Sequence, residues 1–189
     1  MGKLDNFPVH RNQLLKLLVS YSQQYSGESS CVNRISEFVK QYDTCFERGL
    51  AIGHITGSAW IVNNAGTHTL LTHHKKMDKW LQPGGHADGE SDVLKVAKRE
   101  AHEESGLTQL QLEDPQIFDV DVHQIPRRGS ETQHLHYDIR FALRTFGSEK
   151  FVISDESHDL AWIEIAQLAD YSSEESMLRM AQKWLLTSA

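Results

Sequence analysis

Three carboxylates stand where a hard cation could be held. Glu100, Glu103 and Glu104 occur at i, i+3 and i+4, a spacing that gathers them within one third of a helix circumference. Like charges so placed cost an isolated helix roughly 0.2–0.5 kcal/mol per pair. They also fall in the last turn before Gly106, where the helix dipole prefers cations. A divalent cation offsets both costs, and Mg²⁺ takes oxygen ligands, a few carboxylates at a time, with substrate phosphates completing its shell. The competing reading is a solvated acidic face. Two neighbours favour the metal. Arg99 is placed to orient a carboxylate, and at Gly84-Gly85 the backbone can approach closely and offer a carbonyl.

Histidine is the second resource. The chain has 11. In the segment His134 to Leu143, alternation puts His134, His136, Asp138 and Arg140 on one strand face, opposite Leu135, Tyr137, Ile139, Phe141 and Leu143. In Ile117 to Gln124 the same alternation groups Asp119, Asp121 and His123. Paired as a hairpin, these segments make a solvated sheet face, a substrate-pocket lining or a Zn²⁺ site. His86, next to Gly85, is the best single candidate to touch substrate. His73 and His74 point to opposite faces and cannot serve one site. Arg127 and Arg128, in the connection before His134, are either surface residues or ligands for a substrate phosphate.

These side chains need a scaffold, and the pattern of the chain supplies one. Residues 1–50 read as helical. Leu14, Leu15, Leu17, Leu18 and Tyr21 form one apolar stripe; Val32, Ile35, Phe38 or Val39, Tyr42 and Phe46 form another, capped by Ser29 or Ser30. The stripes either pack on the domain behind them or form a homodimer surface. Ile55 to Val62 and Thr69 to Thr72 read as strands joined by a hairpin at Asn63-Asn64-Ala65-Gly66. Lys75 to Lys79 reads as a polar loop. Ser91 to Ser105 is a helix with Val93, Leu94, Val96, Ala97 and Ala101 inward and Gly106 as its stop. After the two alternating segments, Leu160 to Ile165 is a strand. Ser172 to Glu175 opens a last helix with Met177, Leu178, Ala181, Trp184 and Leu185 inward. Strands around a central helix, with helix at both ends, imply an α/β or α+β sandwich, and the hairpins imply a mixed sheet. The expected division is a helical extension at 1–50 and a main domain at 51–189.

Composition bounds the function. With 189 residues the chain can bury a full core. A formal net charge of −7 argues against nucleic acid and anionic membrane as partners, although a bound cation can reverse the sign locally. Two cysteines, Cys31 and Cys45, exclude a disulfide framework and suit a reducing compartment. Met1 to Pro8 lacks the apolar run of a signal peptide, and no stretch is long and apolar enough for a membrane span. A cytoplasmic protein is expected.

The segment Gly85 to Leu107 resembles the signature of the Nudix hydrolases: Gly, five residues, Glu, seven residues, then Arg-Glu-apolar-x-Glu-Glu-x-Gly-apolar. Gly85 takes the first position, and Arg99, Glu100, Ala101, Glu103, Glu104, Gly106 and Leu107 take the second half without a gap. The five polar and glycine identities recur by chance in about one window in a million. One position departs: the family's first Glu falls on Ser91, flanked by Glu90 and Asp92. Ser91 can cap the helix but cannot pair with Arg99 as a carboxylate.

The resemblance implies a Nudix-like αβα sandwich and a pyrophosphohydrolase of a small nucleoside diphosphate derivative, with Mg²⁺ or Mn²⁺ as cofactor. It implies metal ligation by Glu100, Glu103, Glu104 and a carbonyl of Gly84 or Gly85, with Arg99 in support. The general base would be a glutamate of the helix or a loop acid, Glu131 or, ranked higher, Glu156 ahead of the Trp162 strand. A catalytically silent Nudix-fold nucleotide sensor is the alternative, argued against by the complete glutamate trio. Isopentenyl diphosphate isomerase shares the fold but relies on a cysteine near its Gly-His segment. Here both cysteines lie in the N-terminal helical region.

Overall fold

The structure, a computed structural model, describes residues 9–129, 132–155 and 157–187. Two helices open it, α1 (Val9–Gln24) and α2 (Ser29–Gln41), joined by a 3-10 turn at Ser26–Glu28. Leu14, Leu15, Leu18 and Tyr21 of α1 and Val32, Ile35, Phe38 and Val39 of α2 are buried, the i, i+3, i+4 rhythm of one apolar face. The cap expected at Ser29 or Ser30 is absent. The 3-10 turn runs straight into α2, so the cap position falls on Glu28, and the Ser29 hydroxyl donates back to the Ser26 carbonyl at 2.5 Å.

An eight-stranded mixed sheet follows. Its strands are β1 (Gly53–Val62), β2 (His68–His74), β3 (Lys79–Leu81), β4 (Gly84–His86), β5 (Leu110–Leu112), β6 (Asp119–Ile125), β7 (His134–Thr145) and β8 (Ser157–Glu164); α3 (Val93–Ser105) and α4 (Glu175–Thr187) pack on it. β1 is the hub, buried at every position. It runs parallel to β7, with His54 opposite His136, Thr56 opposite Asp138 and Ser58 opposite Arg140. Its other edge is antiparallel to β4, with Thr56 opposite His86, Gly57 opposite Gly85 and Ser58 opposite Gly84. The hairpin expected at Asn63–Gly66 closes only at its tip, where Val62 meets Thr69. Beyond that point β4 occupies the edge of β1, and β2 pairs instead with β8 and β3. β6 and β7 form the antiparallel pair that alternation suggested.

Helices cover both faces. On one side Ile55, Tyr137, Ile139 and Phe141 share a core with α1, α2 and Val93, Val96 and Ala97 of α3. The Phe38 and Tyr137 rings stack there at 3.8 Å. The apolar stripes of residues 9–46 thus face the sheet. On the other side Trp60, Val62 and Ala142 meet Met177, Met180, Ala181 and Trp184 of α4. The expected inward set of α4 is corrected at two positions: Leu178 and Leu185 are exposed, while Met180 and Lys183 point inward. The helix turns its Met177–Met180–Ala181–Trp184 stripe to the sheet because Lys183 is drawn to a buried carboxylate. No helix among the described residues is long and apolar enough to cross a membrane.

Candidate active site

α3 carries the glutamates, and its placement follows from glycine. A Cβ on Gly57 would lie 2.9 Å from Val96 Cγ1 and 3.0 Å from the Val93 carbonyl, so only glycine lets the helix settle this close to β1. The helix starts at Asp92, whose side chain accepts the Lys95 N–H at 3.2 Å. Asp92 therefore caps the helix, not the adjacent Ser91. It ends at Gly106, φ 69°, in the left-handed conformation expected of the stop.

The three glutamates occupy three environments. Glu104 is buried and accepts the Gly84 N–H at 2.8 Å. Glu100 lies against β4, so close that a Cβ on Gly85 would sit 2.6 Å from its carboxylate. Glu103 is 60% exposed, with Arg99 Nε 3.9 Å from its carboxylate. Arg99 ties this group to the strand: Nη2 donates to Glu100 at 2.7 Å and to the His86 carbonyl at 2.7 Å. A carboxylate at position 91 is not needed to hold Arg99. Neighbouring Glu90 is engaged elsewhere, accepting from Lys95 Nζ at 2.5 Å and from the Asp92 N–H at 3.0 Å.

The other face of the same strands carries histidines. His54 on β1, His86 on β4 and His136 on β7 bring one donor atom each within 4.8 Å of one another. His134 Nε2 lies 3.3 Å from His136 Nε2, and His123 stacks edge-on to His136 while its Nδ1 meets Asp121 at 3.0 Å. Burial, then the neighbouring imidazoles, lowers the pKa of His54 to about 4 and that of His136 to about 2.

Next to the histidines the face is closed rather than solvated. Asp138 accepts from Thr56 and Ser58 hydroxyls at 2.9 and 2.8 Å and from Arg140 Nε at 2.7 Å. Asp119, fully buried, accepts from Arg140 at 3.0 Å, Arg179 at 2.8 Å and Lys183 at 2.6 Å.

The NUDIX domain family model matches residues 54–183, more than half of the chain. The chain belongs to the Nudix hydrolase family. No curated protein matches its sequence. Solved structures share the Nudix fold at low identity. A C. elegans Ap4A hydrolase complex is 19% identical with a TM-score of 0.58, over 71% of this chain and 96% of that one. The E. coli dihydroneopterin triphosphate pyrophosphohydrolase is 17% identical with a TM-score of 0.56, over 70% and 95%. A NUDIX hydrolase from Clostridium perfringens is 23% identical with a TM-score of 0.51, over 71% and 97%.

On this Nudix scaffold Gly84, Gly85, the His86 carbonyl, Arg99, Glu100 and Glu104 come together where β4 meets α3, with Glu103 at the edge, whereas the His86 imidazole, expected to touch substrate, lies on the opposite face against His54 and His136. Arg127 and Arg128 are exposed in the β6–β7 connection. Glu131 and Glu156 lie outside the described residues. The histidine–carboxylate grouping expected on the β6–β7 hairpin is corrected in its membership. Asp138 is committed to hydroxyls and Arg140, and the imidazoles converge instead with His54 and His86. His54 escaped the sequence reading, because a single histidine in an apolar strand carries no signal until β1 is known to lie beside β7. A groove of about 450 Å³ lined by Tyr25, Gly66, Phe118, Arg144 and Trp184 shares no residue with either group.

Proposed function

We propose that this Nudix enzyme cleaves a diphosphate linkage in a small nucleoside diphosphate derivative, with Mg²⁺ or Mn²⁺ as cofactor. The carrying observation is the seating of Glu100 and Glu104 against the Gly84-Gly85 strand, with no side chain between helix and backbone. The donors there are all hard oxygens: the carboxylates of Glu100, Glu103 and Glu104 and a carbonyl of Gly84 or Gly85. That set suits Mg²⁺ and fits a nitrogen-preferring ion poorly. When bound, such a cation neutralises phosphate charge and lowers the pKa of a coordinated water.

The chain's own residues would then divide the work. Arg99 holds the Glu100 carboxylate and the His86 carbonyl in one frame, fixing ligand geometry before substrate arrives. Glu104, pinned by the Gly84 N–H, is the rigid member. Glu103, the most exposed of the trio, has the freedom to take a proton from an attacking water, a role for which Glu156 is the other candidate. Arg127 and Arg128 would meet substrate phosphates, while the His86 imidazole, turned to the opposite face against His54 and His136, is left out of this site. Two neighbours in fold are named for hydrolysis of Ap4A and of dihydroneopterin triphosphate, which supports a small soluble phosphoanhydride substrate.

The test is a screen of nucleoside diphosphate derivatives with Mg²⁺ and with Mn²⁺, products read by mass. Cleavage at the diphosphate, abolished by chelator and restored by either ion, is expected. Saturable nucleotide binding with no turnover in any condition would replace this reading with that of a nucleotide sensor.

A further inference from the structure

Five imidazoles crowd one end of the sheet, and packing gives no reason for them. Ring centroids of His54, His86, His134 and His136 lie 4.8–5.2 Å apart in every recorded pair, and His123 stands 5.5 Å from His136. Buried polar groups are normally hydrogen-bonded. His54 is 3% exposed, yet neither of its ring nitrogens has a hydrogen-bond partner among the described residues. An aliphatic side chain would fill this position in β1 without leaving two ring nitrogens unpartnered.

We propose that His54, His86 and His136, with His134 as fourth donor, bind one Zn²⁺ at a site separate from the glutamates of α3. Three donors already lie within 4.8 Å of one another. The fourth is adjacent: two nitrogens each about 2.0–2.1 Å from a tetrahedral ion stand roughly 3.3 Å apart, and His134 Nε2, hydrogen-bonded to His136 Nε2 at 3.3 Å, stands at that distance from one of the three. An all-imidazole set selects a borderline ion such as Zn²⁺ over Mg²⁺, which wants oxygen. The ligands ride on β1, β4 and β7, adjacent strands in the sheet, so the scaffold is rigid. Zinc here would clamp β4, and with it Gly84-Gly85, to the centre of the sheet.

The experiment uses the intact chain, stripped with chelator and dialysed against Zn²⁺ in excess Mg²⁺, with bound zinc counted by elemental analysis and Co²⁺ substitution read by its visible absorption. One zinc per chain, a tetrahedral Co²⁺ spectrum and a raised melting temperature are expected. Zinc binding should survive Glu103→Gln with Glu104→Gln, and weaken at least about a hundredfold in His136→Gln and His54→Gln. His134→Gln, at a partly exposed position, serves if His54→Gln does not fold, and should weaken binding about tenfold or more. Absence of stoichiometric zinc, zinc retained by the folded histidine variants, or zinc lost only with the glutamates overturns the proposal.

Discussion

Replacing Glu104 by Gln separates what this carboxylate does for folding from what it does for chemistry. The side chain is buried and accepts the Gly84 N–H at 2.8 Å. Gln keeps an acceptor oxygen in nearly the same place, so the contact with Gly84 survives as a neutral hydrogen bond. Charge-assisted bonds are roughly twice as strong as neutral ones, and a neutral one is worth about 1 kcal/mol. Removing one of three like charges on the stripe returns roughly 0.2–0.5 kcal/mol per relieved pair. The two effects nearly cancel, and the urea midpoint should imply a stability change under about 1 kcal/mol. Turnover should behave differently. Loss of an anionic metal ligand is expected to cut kcat by tenfold to a hundredfold, about 1.4–2.7 kcal/mol of transition-state stabilisation. The Mg²⁺ concentration needed for half-maximal rate should rise as well. Glu103→Gln is the companion. Its side chain is 60% exposed and meets Arg99 only at a loose 3.9 Å, so no stability change is expected, with a comparable loss of activity. Product release measured for both variants against chemical denaturation decides the matter. Wild-type turnover in both would remove the glutamates from the mechanism. A stability loss above about 3 kcal/mol in Glu104→Gln would make it a structural residue instead.

Three other perturbations have defined outcomes. Asp119→Ala leaves Arg140 and Lys183 buried without their shared carboxylate, and urea denaturation should show a loss of about 3–5 kcal/mol. In metal-free buffer His54 titrates at about 4 in the folded chain against an unfolded value near 6.5, so between these limits the unfolded state binds more protons and stability falls with falling pH. Going from pH 7 to 4.5 should cost about 2 kcal/mol through this residue, seen as a shallower pH profile in His54→Gln. Gly85→Ala drives a methyl group into the Glu100 carboxylate, 2.6 Å away. Gly85 has no positive φ, so a tenfold or larger fall in kcat with the fold retained is expected from displaced carboxylate alone.

The features legible in the sequence are those whose causes are local. The helix carrying the glutamates announces itself through an apolar face at 3.6-residue spacing and a glycine stop, and Gly106 is indeed left-handed at its end. The β6–β7 hairpin was legible for the same reason, since alternation in two neighbouring segments fixes both faces. What escaped was set by partners distant in sequence. The solvated face that alternation allowed on β7 is sealed by Arg179 and Lys183, about sixty residues from Asp119. The same contact rotates α4 so that a lysine points inward and Leu185 out. His54 joins the other imidazoles only because β1 is parallel to β7 in a register that sets it beside His136. Ser91 and Asp92 are equally good caps by type, and a one-residue difference in helix start is below what residue preference resolves.

That register also explains why one strand can serve two unlike sites. Alternate residues of β1 face opposite sides. Gly57 faces α3, is paired across the strands with Gly85, and so leaves a bare strip of backbone on which the glutamates settle. His54, Thr56 and Ser58 face the other way, toward the imidazoles and Asp138. A slip of one residue would exchange the two faces, putting imidazole and hydroxyl under the helix and glycine among the histidines. Neither site tolerates that exchange: α3 would be lifted off the strand by the side chains now beneath it, and His136 would lose its neighbour. The buried ion pairs of Asp119 and Asp138 with Arg140, which are weak sources of net stability in themselves, then have an evident use. Asp119 meets Arg140 only in one pairing of β6 with β7, and the Thr56 and Ser58 hydroxyls meet Asp138 only in one pairing of β1 with β7, so these contacts together penalise other registers and hold the bare glycine strip under the carboxylates.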